Sequence, residues 1–258
     1  MENSKYYWVW LSRIEGLGCK RIISLLEKYK NPENIWKLKK EELQAINGIG
    51  KQLAEKILDE KYKTGLDTYM KYIEKNNIDI ITILDKDYPD KLKNIYDPPA
   101  YIYVKGNKDI LNKFGIAIVG CRLSSTYGEK MAKSFAYNLA KYNINIISGL
   151  ARGIDTCAHI GALQANGNTI AVLGNGLDSV YPAENKGVFE KIVNSGGAII
   201  SEYVIGTKPE KSNFPARNRI ISGLSEGVIL IEAKRKSGSM ITVDCALEQG
   251  RNVFAIPR

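Results

Sequence analysis

From Gly115 onward, short unbroken apolar runs alternate with longer segments of helical periodicity. Strands covered on both faces are continuous apolar runs, and helices between them cross over to parallel neighbours. The pattern therefore predicts an α/β fold with an extended Rossmann-like, doubly wound, mostly parallel sheet. Two earlier segments, IDIITILD and AYIYVKG, predict edge strands of the same sheet. The predicted strands are 115–120, 144–148, 169–174, 197–201, 227–233 and 252–256, with helices near 127–142, 155–166, 185–195, 217–225 and 240–249.

An internal repeat occupies the first part of the chain. The segment IEGLG at 14–18 returns as INGIG at 46–50, and each copy is flanked by helical patterns. Such copies resemble the helix-hairpin-helix motif, whose glycine turn holds a phosphate without reading sequence. The second copy matches better, because it keeps the small Ala54 where the helices approach each other. We therefore expect a small all-α, helix-hairpin-helix (SAM-like) domain over residues 1–64, either a DNA-binding module or a scaffold, followed by the Rossmann-like domain over residues 65–258.

Charge and cysteine content narrow the class of protein. The chain has 37 Lys and Arg residues against 28 Asp and Glu, with a pI near 9.2, which favours a polyanionic partner. Its four cysteines lie far apart and it has a single histidine, His159, so neither a zinc site nor a disulfide framework is expected. The sequence lacks a signal peptide and an apolar run of roughly 18 residues, which predicts a cytoplasmic protein without membrane association.

Polar residues follow the predicted strands at the edge where ligands bind in such sheets. Arginine, glycine, serine and asparagine recur there, which predicts a phosphate-binding rim. Its strongest segment is KSNFPARNR, in which Arg217 and Arg219 stand at a predicted helix start, with Phe214 before them to stack on a base. Two alternatives stay open: Phe214 as a core plug, and structural pairing of the arginines with Glu202, Glu226 or Glu232. A second basic run is Lys234-Arg235-Lys236.

Enzymatic signatures are weak. The strand-to-helix loops carry neither a dinucleotide fingerprint nor a Walker A motif, so no cofactor is expected. The segment ARGIDTCAH contains Asp155, Cys157 and His159, but helical geometry turns Cys157 away from the other two. Asp155 is better explained as a helix N-cap that accepts from the N–H of Cys157 or Ala158 and contacts His159 one turn later. No catalytic residue and no metal ligand is predicted.

Seven motifs in order resemble the DprA/Smf family of DNA-processing proteins: VGCRLSSTYG, SGLARGIDTCAH, TIAVLGNGLDSVYPAEN, ISEY, FPARNRIISGLS, EAKRKSGSMIT and EQGRNVFAIP. The resemblance implies a homodimer that binds single-stranded DNA, protects incoming strands and loads the RecA recombinase in natural transformation and homologous recombination, without enzymatic activity. It also implies that Gly149 and Gly153 let backbone approach the strand and that Ser148 donates to a phosphate. The candidate DNA-binding residues are Arg122, Ser148, Gly149, Arg152, Gly153, Lys211, Phe214, Arg217, Asn218 and Arg219. For Arg152 two orientations stay open, into the groove or back into the fold.

The sequence departs from the family pattern at three places. Cys121 replaces a small hydroxyl residue, and Ala183 stands where many relatives carry a lysine. The chain ends at Pro257-Arg258, where the family has Pro-Gly and continues, often into a winged-helix domain. In the family, dimerisation and RecA contact draw on the carboxyl part of the Rossmann domain, so the sequence leaves both open for this chain. Two other functions fit the sequence: a nucleotide hydrolase or phosphoribosyl-cleaving enzyme with Glu202 or Glu232 as acid/base, and an interaction scaffold that binds DNA through residues 1–64.

Overall fold

Eight strands form one sheet in the computed structural model, which describes residues 2–234 and 237–257. The predicted α/β class and all the predicted strands are confirmed, and the two early strands do lie at one edge. The spatial order is β1-β2-β6-β5-β4-β3-β7-β8, with β3 to β8 parallel and with antiparallel pairing of β2 to both β1 and β6. The strands are β1 (Ile78–Thr82), β2 (Tyr101–Gly106), β3 (Gly115–Val119), β4 (Asn145–Ser148), β5 (Thr169–Val172), β6 (Ala198–Ser201), β7 (Gly227–Leu230) and β8 (Asn252–Ala255).

The strand order reverses between β3 and β7. From β3 the chain moves to β4, β5 and β6 on one side, and then crosses to β7 and β8 on the other. Loops that leave β3 and β7 therefore diverge, and a crevice opens between them at the carboxyl edge. Any site of this sheet is expected there.

The first seven helices form the helical part of the chain and include both hairpins. Gly16, Gly18 and Gly48 have positive φ in the two turns, and the Arg21 guanidinium ties the turns together through the carbonyls of Gly16 (3.0 Å) and Gly48 (2.9 Å). One apolar cluster joins these helices to β2 through Tyr101 and Tyr103. The division after residue 64 stays a prediction. These helices are α1 (Glu2–Arg13), α2 (Gly18–Tyr29), α3 (Pro32–Trp36), α4 (Lys40–Gln44), α5 (Lys51–Leu58), α6 (Glu60–Lys63) and α7 (Leu66–Lys75).

The remaining helices cover the sheet. They are α8 (Asp90–Lys93), α9 (Thr126–Lys141), α10 (Ile154–Gln164), α11 (Lys186–Asn194), α12 (Asn213–Gly223) and α13 (Gly238–Glu248), with 3-10 turns at Lys108–Ile110 and Ala183–Asn185. The helix α12 begins at Asn213, four residues before the predicted start at 217. Pro215 lies in its first turn, where the N–H that proline lacks would have no partner within the helix. Arg217 thus lies in the second turn, away from the helix end. In the described part of the chain, no helix is long and apolar enough to cross a membrane.

Candidate nucleic-acid interface

An open groove of about 710 Å³ lies at the carboxyl ends of β3 and β7, where the strand order reverses. We call it the strand-end groove. It collects residues from the loops after β3, β4, β5, β6 and β7 and from the first turns of α12 and α13. Its lining includes Val119–Leu123, Tyr181, Pro209, Lys211, Phe214, Arg217, Asn218, Lys234 and Ser237–Ser239.

An aromatic pair and a cation form one wall of the groove. Half-buried Phe214 lies 5.5 Å from the ring of Tyr181, centroid to centroid, with the planes tilted by 36°. The guanidinium carbon of exposed Arg122 lies 5.3 Å from the Phe214 ring centre. Aromatic faces of this kind stack on nucleobases, and an adjacent guanidinium can bind a phosphate. The wall therefore offers groups for both parts of a nucleotide.

Other cations and two helix starts complete the groove. Lys211 and Lys234 are exposed along it, and the N-terminal turns of α12 and α13 reach its lining. Helix N-termini carry partial positive charge, so they add to the attraction for anions. Arg235 and Lys236, which complete the predicted basic run, lie outside the described residues.

The structure corrects the predicted position of Arg217. Its side chain is only 3% exposed and donates to the carbonyls of Gly149 (2.7 Å) and Val172. Burial lowers the pKa of Arg217 to about 10, so the guanidinium stays charged at neutral pH. Arg217 lies beneath the groove as a buried cation, rather than as one of two exposed arginines at a helix start.

Arg219 points away from the groove. Its guanidinium binds both carboxylate oxygens of Glu202, at 2.7 and 2.6 Å, and donates to the carbonyl of Asp97 at 2.9 Å. Residues two apart on a helix differ by about 200° in direction, so Arg217 and Arg219 cannot share a face. The alternative that an arginine pairs with Glu202 is the one that the structure supports.

Residues after β4 are engaged within the fold. Ser148 is fully buried and its hydroxyl donates to the Ile118 carbonyl at 2.7 Å, which corrects the expectation that it donates to a phosphate. A Cβ on Gly149 would lie 2.6 Å from a guanidinium nitrogen of Arg217, so the glycine makes room for that side chain. Gly153 has φ of +73° and backs onto the carbonyls of Cys121 and Arg122. These two glycines bring protein groups together beneath the groove.

Arg152 and Asn218 lie beside the groove and already have partners within the protein. Arg152 is exposed at the rim beside Tyr181 and forms an ion pair with Glu184. Asn218 lines the groove, but its side-chain amide donates to the Gly238 carbonyl at 3.0 Å and so joins α12 to the first residue of α13. Both residues lie near the groove and are bonded to partners within the protein, and their role in DNA binding stays a prediction.

The ARGIDTCAH segment holds no Cys/His pair. Asp155 is the second residue of α10, behind Gly153 as N-cap, and its carboxylate turns back to the N–H groups of Gly149 (3.1 Å) and Ala151 (3.4 Å). The predicted N-cap role is therefore wrong. His159 Nδ1 lies 2.7 Å from Thr169 Oγ1, whose own hydrogen goes to the Ile146 carbonyl, so the imidazole donates. Burial lowers the pKa of His159 to about 3, which keeps it neutral.

The two candidate catalytic acids have partners outside the groove. Glu202 is the partner of Arg219, and Glu232 accepts from the N–H and hydroxyl of Ser125 at 3.0 and 2.9 Å. Neither is among the described residues that line the groove. Within the described residues, no group of His, Cys, Asp and Glu side chains could hold a metal ion.

Comparison with protein-family models adds a decisive observation. Residues 79–258 match the model described as DNA recombination-mediator protein A, and residues 11–60 match that of a SAM-like helix-hairpin-helix tandem. The chain belongs to the DNA recombination-mediator protein A family. The predicted resemblance and the predicted helix-hairpin-helix domain are both confirmed.

Relatives within this family cover most of the chain. Protein Smf of Synechocystis sp. is 39% identical over 100% of this chain and 66% of its own length. The DNA processing protein DprA of Streptococcus pneumoniae is 50% identical over 68% of this chain and 62% of its own length. The chain thus spans about two thirds or less of the length of these curated relatives.

Two solved structures of the family are similar to this one. The X-ray structure of DprA from Streptococcus pneumoniae has a TM-score of 0.83 and 39% identity, over 98% of this chain and 87% of that one. A structure of DprA from Helicobacter pylori, which concerns its single-stranded DNA binding mode, has a TM-score of 0.64 and 32% identity, over 70% and 81%. The fold is that of the DNA recombination-mediator protein A family.

Tyr181, Ser237 and Ser239 line the groove but are not among the predicted site residues. Their signal was their position after β5 and β7, at the edge already predicted to bind. The predicted exposure of Arg217, Arg219 and Ser148 to a ligand differs from the structure, because a local motif shows neither burial nor partners that are distant in sequence.

Burial of neutral His159 predicts a pH dependence of stability. The folded-state pKa is depressed from 6.5 to about 3, so this stabilising contribution is complete above pH 6.5 and is lost as the pH falls toward 3. We expect the free energy of unfolding to fall with acidification by about 1.4 kcal/mol per pH unit more steeply than in His159→Asn, whose amide does not titrate. Urea denaturation at several pH values measures both slopes. Parallel curves for the two proteins would contradict the assignment.

Proposed function

We propose that this chain binds single-stranded DNA in the strand-end groove, as a recombination mediator. Arg122 and Lys211 hold phosphates, and Phe214 with Tyr181 contacts a base. The observation that carries the proposal is the cluster of Arg122, Phe214 and Tyr181 in an open basic groove. The Helicobacter pylori relative, whose structure concerns single-stranded DNA binding, supports the same ligand.

The proposed site residues divide by what they can do. Exposed Arg122, Lys211 and Lys234 are available to phosphates, whereas Phe214 and Tyr181 offer ring faces. Arg217, Gly149 and Gly153 shape the surface beneath the strand, and Asn218 fixes the start of α13. Arg152 is a rim contact that would have to exchange Glu184 for a phosphate. Because every base has a stacking face, the site is expected to tolerate many sequences.

No catalytic step is part of the proposal. Glu202 and Glu232 are held by Arg219 and Ser125, and His159 is buried and neutral. Incubation with a panel of nucleotides tests this directly. Release of base or phosphate, abolished by Glu232→Gln, would favour the nucleotide-cleaving alternative.

Removal of the two exposed cations tests the groove as a phosphate site. We expect Arg122→Ala with Lys211→Ala to weaken single-strand binding and to reduce the slope of log affinity against log salt by about 1.4, since each lost phosphate contact contributes about 0.7. Fluorescence anisotropy with a labelled oligonucleotide at several salt concentrations gives both values. The matched control is Lys113→Ala with Lys141→Ala, which removes the same charge at exposed positions before the amino ends of β3 and β4. Equal losses in the two double variants would place binding outside the groove.

Substitution of Phe214 separates base stacking from packing. Phe214→Leu keeps apolar bulk but removes the ring face that stacks, so we expect affinity to drop about tenfold, consistent with roughly 1–3 kcal/mol per stacked base. Anisotropy at high salt, where phosphate contacts weaken, is the measurement, and thermal unfolding monitors the fold. Wild-type affinity in Phe214→Leu would indicate that Phe214 is a core plug.

We propose two partners for the chain. Delivery of single strands to RecA is inferred because the matching family model is described as a recombination mediator, and a homodimer is inferred from the motif resemblance alone. Light scattering is expected to give twice the chain mass of 28.8 kDa. RecA assembly on single strands is expected to accelerate when the protein is added. A monomer without effect on RecA would overturn this part of the proposal and leave strand binding intact.

A further inference from the structure

A line of hydroxyl groups connects the first helix to the loop between β6 and α12. The Ile205 N–H donates to the Tyr69 hydroxyl at 2.7 Å, which lies 3.3 Å from the Tyr103 hydroxyl. Tyr103 in turn lies 2.9 Å from the hydroxyl of Ser12. Tyr69 belongs to α7, Tyr103 to β2 and Ser12 to α1. Three separate elements are thus linked to one loop.

Counting hydrogens fixes the direction of this line. The Ser12 hydroxyl donates its one hydrogen to the Val9 carbonyl at 2.8 Å, so Tyr103 must donate to Ser12. Tyr69 then donates to Tyr103, and its remaining lone pair accepts from Ile205. Every donor has an acceptor, and the series ends on a helix carbonyl. The series runs one way, from Ile205 through Tyr69 and Tyr103 to Ser12.

The hydroxyls of this line keep their hydrogens at physiological pH. Burial raises the pKa values of both Tyr69 and Tyr103. Networks in a low-dielectric interior are strong when every member is satisfied, and weaken when one member is removed. Tyr69 is the member that touches the loop, so loss of its hydroxyl removes the contact with Ile205, while Tyr103 keeps its bond to Ser12.

The loop that Tyr69 holds leads directly to the groove. Next to Ile205, the Gly206 N–H donates to Asp178 at 2.8 Å and the Thr207 carbonyl accepts from Gly176 at 3.0 Å. The Tyr203 hydroxyl closes the loop on the Asn213 carbonyl at 3.2 Å, at the start of α12. Lys211 lies between these fixed points, exposed and lining the groove.

We propose that Tyr69 is a positioning residue for the strand-end groove: it fixes Ile205 and thereby presents Lys211 to a bound phosphate. The inference rests on the proposed single-strand binding for its effect on affinity. Its structural part, the fixing of the loop, does not depend on DNA. The helical part of the chain thus acts on the groove without touching the ligand.

The loop is tested first, in the free protein. Tyr69→Phe removes only the hydroxyl, and Tyr72→Phe makes the same change at an exposed position of the same helix. By hydrogen exchange, we expect faster exchange across residues 205–212 in Tyr69→Phe, with unchanged exchange in α1 and in Tyr72→Phe. Unchanged exchange at 205–212 overturns the proposal, whatever the protein binds. Faster exchange throughout α1 and β2 overturns it as well, because the hydroxyl would then support the docking of the helices instead.

Coupling to Lys211 is tested next by a double-mutant cycle on single-strand affinity. We expect Tyr69→Phe to weaken binding about three- to tenfold in the wild-type background, and to have little effect once Lys211→Ala is present. Equal losses in both backgrounds overturn the link to Lys211. If Lys211→Ala alone leaves affinity unchanged, the proposed function fails at that residue, while hydrogen exchange still decides whether Tyr69 holds the loop.

Discussion

The groove depends on one buried cation. Arg217 is charged in a nearly water-free position, which costs several kcal/mol unless the guanidinium is fully bonded. Its bonds go to the carbonyls of Gly149 and Val172, which follow or end neighbouring strands, and Asp155 supplies the opposite charge nearby. Asp155 in turn gathers two loop N–H groups. A single guanidinium thereby joins α12, the ends of β4 and β5, and the start of α10.

This buried contact sets what α12 presents to solvent. On a helix, residues three apart share a face and residues two apart do not. With Arg217 held under the groove, Phe214 lies on the same face one turn earlier and reaches Tyr181 and Arg122. Arg219 must then point to the opposite side, where Glu202 and Asp97 receive it. The three residues of one motif therefore have three different tasks.

The sequence predicted those features that repeat with a regular period. Apolar runs located the strands, the glycine repeat located both hairpins, and the topology rule predicted the edge of the sheet at which the groove opens. It did not predict the α12 start, since Pro215 within a first turn resembles a helix boundary. Nor could it decide that Arg219 pairs with Glu202, or that the Ser148 hydroxyl donates to the Ile118 carbonyl, because these partners are distant in sequence. Tertiary partners decide which polar side chains remain free.

The same distinction governs how the basic charge of the chain should be interpreted. An arginine-rich motif suggests many phosphate contacts. However, Arg217 and Arg219 both donate hydrogen bonds to acceptors within the protein, and Arg152 forms an ion pair with Glu184. Exposed cations along the described groove are fewer: Arg122, Lys211 and Lys234. Ion pairing and burial thus remove part of the basic charge from the groove surface, and under the proposed function the salt dependence of DNA binding is expected to follow the exposed cations rather than the formal charge.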